Sequence, residues 1–382
     1  MKKHIGLMLL IVLILVSGCD SKTKEIGNKQ GLDSSYASIE ANGKNTFIAP
    51  YSDVRKLPFV ESETPQEGNY NLEDIKTFWF NTDTVFPGGE KVAVEVLEKG
   101  KNPGLGIRTL HERGITGKGI KVAIIDQNLA QPYHSEYADR IVKYKDVGTN
   151  QEANSGSMHG PAVVSILAGK SCGVAPDVEV YFAAAPSWNG DSAYFAKALR
   201  WIIEVNKELP KDDKIRVVSV SAAPSGSGSP FSKNQEQWDE AVAEAQKDGI
   251  LVLDCRDGYD TGIIVPGYYD FDSPDDITLF KTGFPEHPYG GKEDNAIFVP
   301  TSFRTTAEQY NAGVESYQYT GQGGLSWGIP YAAGVLALGW QVDPALSNQE
   351  IIDLLFRTAY IDQNGNKIIN PVKFIAEIET RR

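Results

Sequence analysis

From residue 101 onward, short apolar runs alternate with longer segments whose apolar residues recur at helical spacing. The runs 121–125, 178–182, 216–220 and 250–253 are too short for helices and rich in β-branched residues, and they predict strands. Between and after them the pattern predicts helices at 160–169, 191–208, 235–247, 330–340 and 348–358. In the third of these, Trp238, Ala241, Val242 and Ala245 fall on one helical face. Strands alternating with helices predict an α/β fold: a mainly parallel sheet flanked by helices on both faces, in three layers.

The N-terminus has a different pattern. Lys2 and Lys3 precede an apolar run over residues 5–16 that only Gly6 interrupts, which reads as a secretory signal. At about 1.5 Å per residue the run is too short for a hydrocarbon core of roughly 30 Å. Val16-Ser17-Gly18-Cys19 resembles a bacterial lipobox. The resemblance implies cleavage before Cys19, lipid on its thiol, and a mature N-terminus held extracytoplasmically at the cell membrane. The expected organisation is a signal peptide over 1–18 and a lipid-anchored flexible tether over 19–68, polar and without period. Residues 69–100 carry Tyr70, Phe78, Trp79, Phe80 and Phe86. They read as an N-terminal extension packed on the main domain, or as a cleavable pro-segment. The main domain is expected over 101–382.

A formal charge of −13 argues against nucleic acid as a partner and against electrostatic adhesion to anionic lipid. The three cysteines, Cys19, Cys172 and Cys255, make neither a disulfide framework nor a CxxC zinc pair. Stability must therefore come from the core, with Cys172 and Cys255 as buried thiols. Asp254, Asp257, Asp260, Asp270, Asp272, Asp275 and Asp276 crowd one segment without EF-hand spacing, and read as solvated loop acids.

Three segments carry candidate chemistry. Asp126 ends the strand over 121–125, at the edge where α/β folds place ligands. His159 opens an apolar segment of helical length, and Ser326 precedes another that is rich in small residues. Singly, each has an ordinary explanation: a turn residue, a structural histidine, a helix cap. Together they form a set that chemistry can use. A serine hydroxyl needs an imidazole base, and the imidazole needs a carboxylate to fix its tautomer and stabilise its cation.

The order Asp…His…Ser is that of the subtilisins, and the surrounding residues resemble the subtilase family. Asp126-Gln127-Asn128 is similar to the family's Asp-(Thr/Ser)-Gly. His159-Gly160-Pro161-Ala162-Val163-Val164 is similar to its histidine motif, with Gly173-Val174-Ala175-Pro176 intact behind it. Gly324-Leu325-Ser326-Trp327-Gly328-Ile329-Pro330 is similar to Gly-Thr-Ser-Met-Ala-Xaa-Pro. The resemblance spans about 101–360. It implies a subtilisin-like fold and a serine endopeptidase acting on peptides or proteins, with Asp126, His159 and Ser326 as the triad. It also implies that Ser221, Ala222 and Ala223 wall the primary specificity pocket. No cofactor is needed for that chemistry, and structural calcium is an option in the family.

The departures bear on mechanism. Asp126 lacks the following Thr/Ser-Gly, and Leu325 replaces a threonine. Where the family carries its oxyanion-hole asparagine, this chain has Asp257 or Gly258, with Arg256 and Tyr259 as neighbouring donors. In subtilisin one such donor is worth about 10²–10³ in rate. An alternative is therefore a subtilase-fold pseudoenzyme that binds or regulates a surface partner.

Overall fold

The computed structural model describes residues 48–58, 62–66, 68, 70–256 and 261–381. The expected signal peptide, Cys19 and most of the expected tether lie outside the described residues.

Five parallel strands form the central sheet, in the order Ile141–Asp146, Glu179–Ala184, Lys121–Asp126, Ile215–Val220, Leu251–Leu253. The middle strand is buried along its whole length, and its alternating side chains supply two cores. Val122 and Ile124 join Val163, Ile166, Val335 and Leu338 on one side; Ala123 and Ile125 join Leu199, Ile202, Trp238 and Val242 on the other. Helices His159–Ala168 and Leu325–Val342 thus cover one face, and Ser192–Glu208 and Gln235–Lys247 the other. This is the layered α/β architecture the sequence predicts. The five predicted helices and four predicted strands are present, the Leu325–Val342 helix beginning earlier and others shifting by a residue or two.

Other elements carry no such signal. Ile141–Asp146 is an edge strand with exposed lysines, so its apolar period is diluted. Ile264–Tyr268 and Ile297–Pro300 pair in parallel in a second sheet. Arg304–Asn311 and Val314–Thr320 form an antiparallel hairpin whose outer edge receives Trp79–Asn81. Phe78, Phe80 and Phe86 are buried in one aromatic cluster there.

The packed chain begins before residue 69. Asp53 makes a parallel bridge to Trp79, and Val54 is buried. The Arg55 guanidinium lies 3.7 Å from the Trp79 ring centroid and pairs with Asp53 at 2.7 Å and Glu308 at 3.5 Å. The polar composition predicts a tether over 19–68, but residues 53–55 are packed: Arg55 bonds Asp53, stacks on Trp79 and reaches Glu308 far along the chain. Among the described residues, no helix is long and apolar enough to cross a membrane.

Candidate active site

Asp126 stands at the carboxyl end of the middle strand and is 4% exposed. Its Oδ1 accepts the Gln127 N–H at 2.8 Å and lies 2.7 Å from His159 Nδ1. A carboxylate oxygen accepts, so Nδ1 carries the proton of that bond and the neutral ring keeps Nε2 as its basic nitrogen.

The approach of the histidine helix to the strand end depends on Gly160. A Cβ there would stand 2.4 Å from the Gln127 carbonyl oxygen. Ser157 fastens the same junction: its Oγ donates to the Asn128 carbonyl at 2.8 Å and accepts the Gly160 N–H at 3.0 Å. The indole of Trp327 meets the imidazole edge to face, with centroids 5.3 Å apart.

Ser326 occupies the first turn of the buried Leu325–Val342 helix. Its Oγ donates to the Ser221 carbonyl at 3.2 Å, while Ser221 Oγ donates to the Ser326 carbonyl at 2.8 Å. Among the described residues no hydrogen bond joins Ser326 to His159. Asp126 and His159 are thus directly paired, while Ser326 bonds Ser221 and its neighbour Trp327 packs on the imidazole. Without substrate, catalytic hydrogen bonds are often open and close in the complex.

Ser221, Ala222 and Ala223 follow strand Ile215–Val220, whose Val220 pairs with Ile125. They therefore leave the sheet level with Asp126. The Ala222 carbonyl accepts the Cys255 N–H at 2.9 Å, and the Ala223 carbonyl accepts Ser229 Oγ at 2.6 Å.

Asp257, Gly258 and Tyr259 lie outside the described residues. Arg256 is described, and its guanidinium is committed elsewhere. Nε donates to Asp254 at 2.7 Å, one terminal nitrogen to Asp239 and Ser225, the other to Thr261. Arg256 thus braces the strand end. Its partner Asp254 is not the solvated loop acid expected from the sequence: it has no exposure, because Arg256, Trp238 and Thr261 all donate to it in the interior. Burial pushes the Asp254 carboxyl up, and Arg256 pulls it back.

Arg256→Met should therefore cost about 3–5 kcal/mol at neutral pH, because Asp254 would remain buried and unpaired. The variant raises that carboxyl further, so the folded state holds its proton more tightly than the unfolded chain. Stability then falls as pH rises from the unfolded to the folded value, and the deficit shrinks toward acid pH. Urea unfolding of variant and parent at pH 7 and pH 4.5 measures this; an equal deficit at both would contradict it.

Cys172 and Cys255 are both buried. Burial also pushes the Cys172 thiol up, so it is held as a thiol and not as a nucleophile. Among the described residues, no group of three or more His, Cys, Asp or Glu side chains is placed to hold a metal ion. A cavity of about 180 Å³ lies beside the Asn128 turn, lined by Asn128, Leu129, Tyr144, Asp146, Gln151 and Glu152. It is smaller than the roughly 300 Å³ at which small-molecule sites begin.

Sequence reasoning missed Trp327, Ser157 and the hydroxyl of Ser221 as parts of the site. An aromatic residue directly after Ser326 was the one visible signal.

Residues 117–255 match the model of the Subtilase family. The match takes in Asp126, His159, Ser221, Ala222 and Ala223, and ends before Ser326. Among curated proteins, the chain is 23% identical over 335 residues to the minor extracellular protease Epr of Bacillus subtilis, covering 81% of this chain and 48% of the relative. It is 25% identical to the serine protease AprX of Bacillus subtilis over 63% of this chain and 61% of the relative. With subtilisin Savinase of Lederbergia lenta it shares 26% identity, over 65% of this chain and 86% of the relative. The chain thus spans about half of Epr and under two thirds of AprX. Among solved structures, fervidolysin from Fervidobacterium pennivorans superposes with a TM-score of 0.52 at 17% identity, over 72% of this chain and 45% of that one. The subtilase cytotoxin SubAB structure gives 0.51 at 13%, over 73% and 96%. Over residues 117–255 the chain is similar to the Subtilase family, and it has the subtilisin-like α/β fold.

Proposed function

We propose that the chain is an extracytoplasmic serine endopeptidase that cuts peptide or protein substrates and is lipid-anchored through Cys19. The observation that carries the catalytic reading is the 2.7 Å bond between Asp126 and His159, beside the helix that begins with Ser326 in its first turn. The protease names of the similar proteins point the same way.

In this reading Ser326 Oγ attacks the scissile carbonyl while His159 Nε2 takes its proton. The imidazolium, held by Asp126, returns that proton to the leaving amine as the C–N bond breaks. Water then attacks the acyl-enzyme with His159 again as base, releasing the acid and restoring Ser326. The Ser326 N–H lies in the first helical turn, where amides lack intrahelical acceptors, and serves as one donor to the oxyanion. With no asparagine at 257 or 258, turnover is expected to be low for a subtilase.

Incubating the full-length protein in detergent with a diverse quenched-peptide library tests this. Cleavage that disappears in Ser326→Ala is the expected result. The small Ala222 and Ala223 lead us to expect bulky side chains before the scissile bond. One observation favours the binding-protein reading: the Ser326 hydroxyl engages Ser221 and not His159. A folded protein that cleaves no library member would establish that reading instead.

For the anchor, Cys19→Ala should abolish partitioning into the detergent phase and leave the protein released or unprocessed. Partitioning equal to the parent's would contradict lipidation. A single acyl chain binds only marginally, so two or more are expected.

A further inference from the structure

Ser326 lies four residues before Pro330 in the same helix. An α-helical carbonyl at position i normally accepts the N–H of residue i+4, and proline has none. The Ser326 carbonyl is therefore deprived of its helical donor. Its neighbours Leu325, Trp327, Ile329 and Pro330 are buried and Ser326 is half-buried, and a carbonyl shielded from water without a partner is unfavourable.

Ser221 fills the vacancy. Its hydroxyl donates to the Ser326 carbonyl at 2.8 Å, and the Ser326 hydroxyl bonds the Ser221 carbonyl in return. Ser221 is itself 8% exposed and is the first residue beyond strand Ile215–Val220. The register Ile125↔Val220 sets it level with Asp126. The bond that Pro330 removes from the helix is thus remade to the carboxyl end of the sheet, where Asp126 stands.

We propose that the Ser221 hydroxyl is a positioning residue: by replacing the missing helical donor it fixes the Ser326 backbone relative to Asp126 and His159. The inference rests on the reading of Ser326 as nucleophile. Pro330 has a definite part in it. A residue with a backbone N–H at this position would compete for the Ser326 carbonyl and let the helix start independently of the strand.

A double-mutant cycle on the full-length protein tests this, with Ser221→Ala, Pro330→Ala and the pair, and Ser221→Thr as the conservative variant. Two readouts are taken: urea unfolding, and the second-order rate of acylation by a fluorophosphonate. Ser221→Ala alone should slow acylation about 10- to 100-fold, the scale on which small misplacements act. It should also lower the unfolding midpoint. In the Pro330→Ala background the restored backbone amide takes over as donor. Both effects of Ser221→Ala should then shrink, to under about threefold in rate and to near zero in midpoint. Ser221→Thr keeps the hydroxyl and should restore most of the rate. A midpoint effect of equal size in both backgrounds would overturn the hydrogen-bond exchange, whether or not the protein acylates. A parent that acylates and a Ser221→Ala variant that acylates equally fast would overturn the positioning role while leaving the protease reading intact. A parent that never acylates would overturn both.

Discussion

Ser326→Ala is expected to lower kcat by about 10⁶-fold, and His159→Ala by about as much, the scale known for removing either group in subtilisin. The double variant should be little worse than either single one. In the proposed mechanism the two groups perform one proton transfer. Without the imidazole the hydroxyl stays a poor nucleophile, and without the hydroxyl the imidazole has no proton to take. The residue of rate above water should come from substrate binding and backbone donors. Steady-state kinetics on one cleaved peptide, with folding checked by circular dichroism, measures this. Additive losses in the double variant would show that the two residues do not act together.

Asp126→Asn should cost less, about 10⁴-fold in kcat, with KM nearly unchanged. The substitution keeps the shape but not the acceptor. An asparagine amide can turn its NH₂ toward His159, and that arrangement stabilises the tautomer with the proton on Nε2. The base would then present a hydrogen to Ser326 where it needs a lone pair. The cation formed during attack would also lose the carboxylate 2.7 Å away. The same kinetic measurement checks this, and a change confined to KM would point to substrate binding as the role of Asp126.

Much of the central layer was legible because its elements are long or buried on both faces. The all-buried Lys121–Asp126 strand and the amphipathic Gln235–Lys247 helix each carry a periodic pattern. Ile141–Asp146 was not legible, since an exposed edge strand shows little apolar alternation. Nor was the docking of Arg55, because its partners Glu308 and Gln318 are supplied by a hairpin far along the chain. Long-range pairing leaves no local trace.

The site shows the same division. Asp126, His159 and Ser326 could be named from motifs and order, and the structure pairs the first two. What motifs could not convey is orientation. The serine hydroxyl bonds Ser221, and Arg256 is tied into a buried ion pair with Asp254. Both facts depend on which neighbours the folded chain brings together.

The central claim is that Ser326 is a nucleophile activated by His159. Fluorophosphonate labelling of the full-length protein, followed by peptide mapping, addresses it without knowledge of the natural substrate. One adduct on Ser326, lost in both Ser326→Ala and His159→Ala, is the predicted result. A folded protein that takes no label, or takes it on another residue, would contradict the claim.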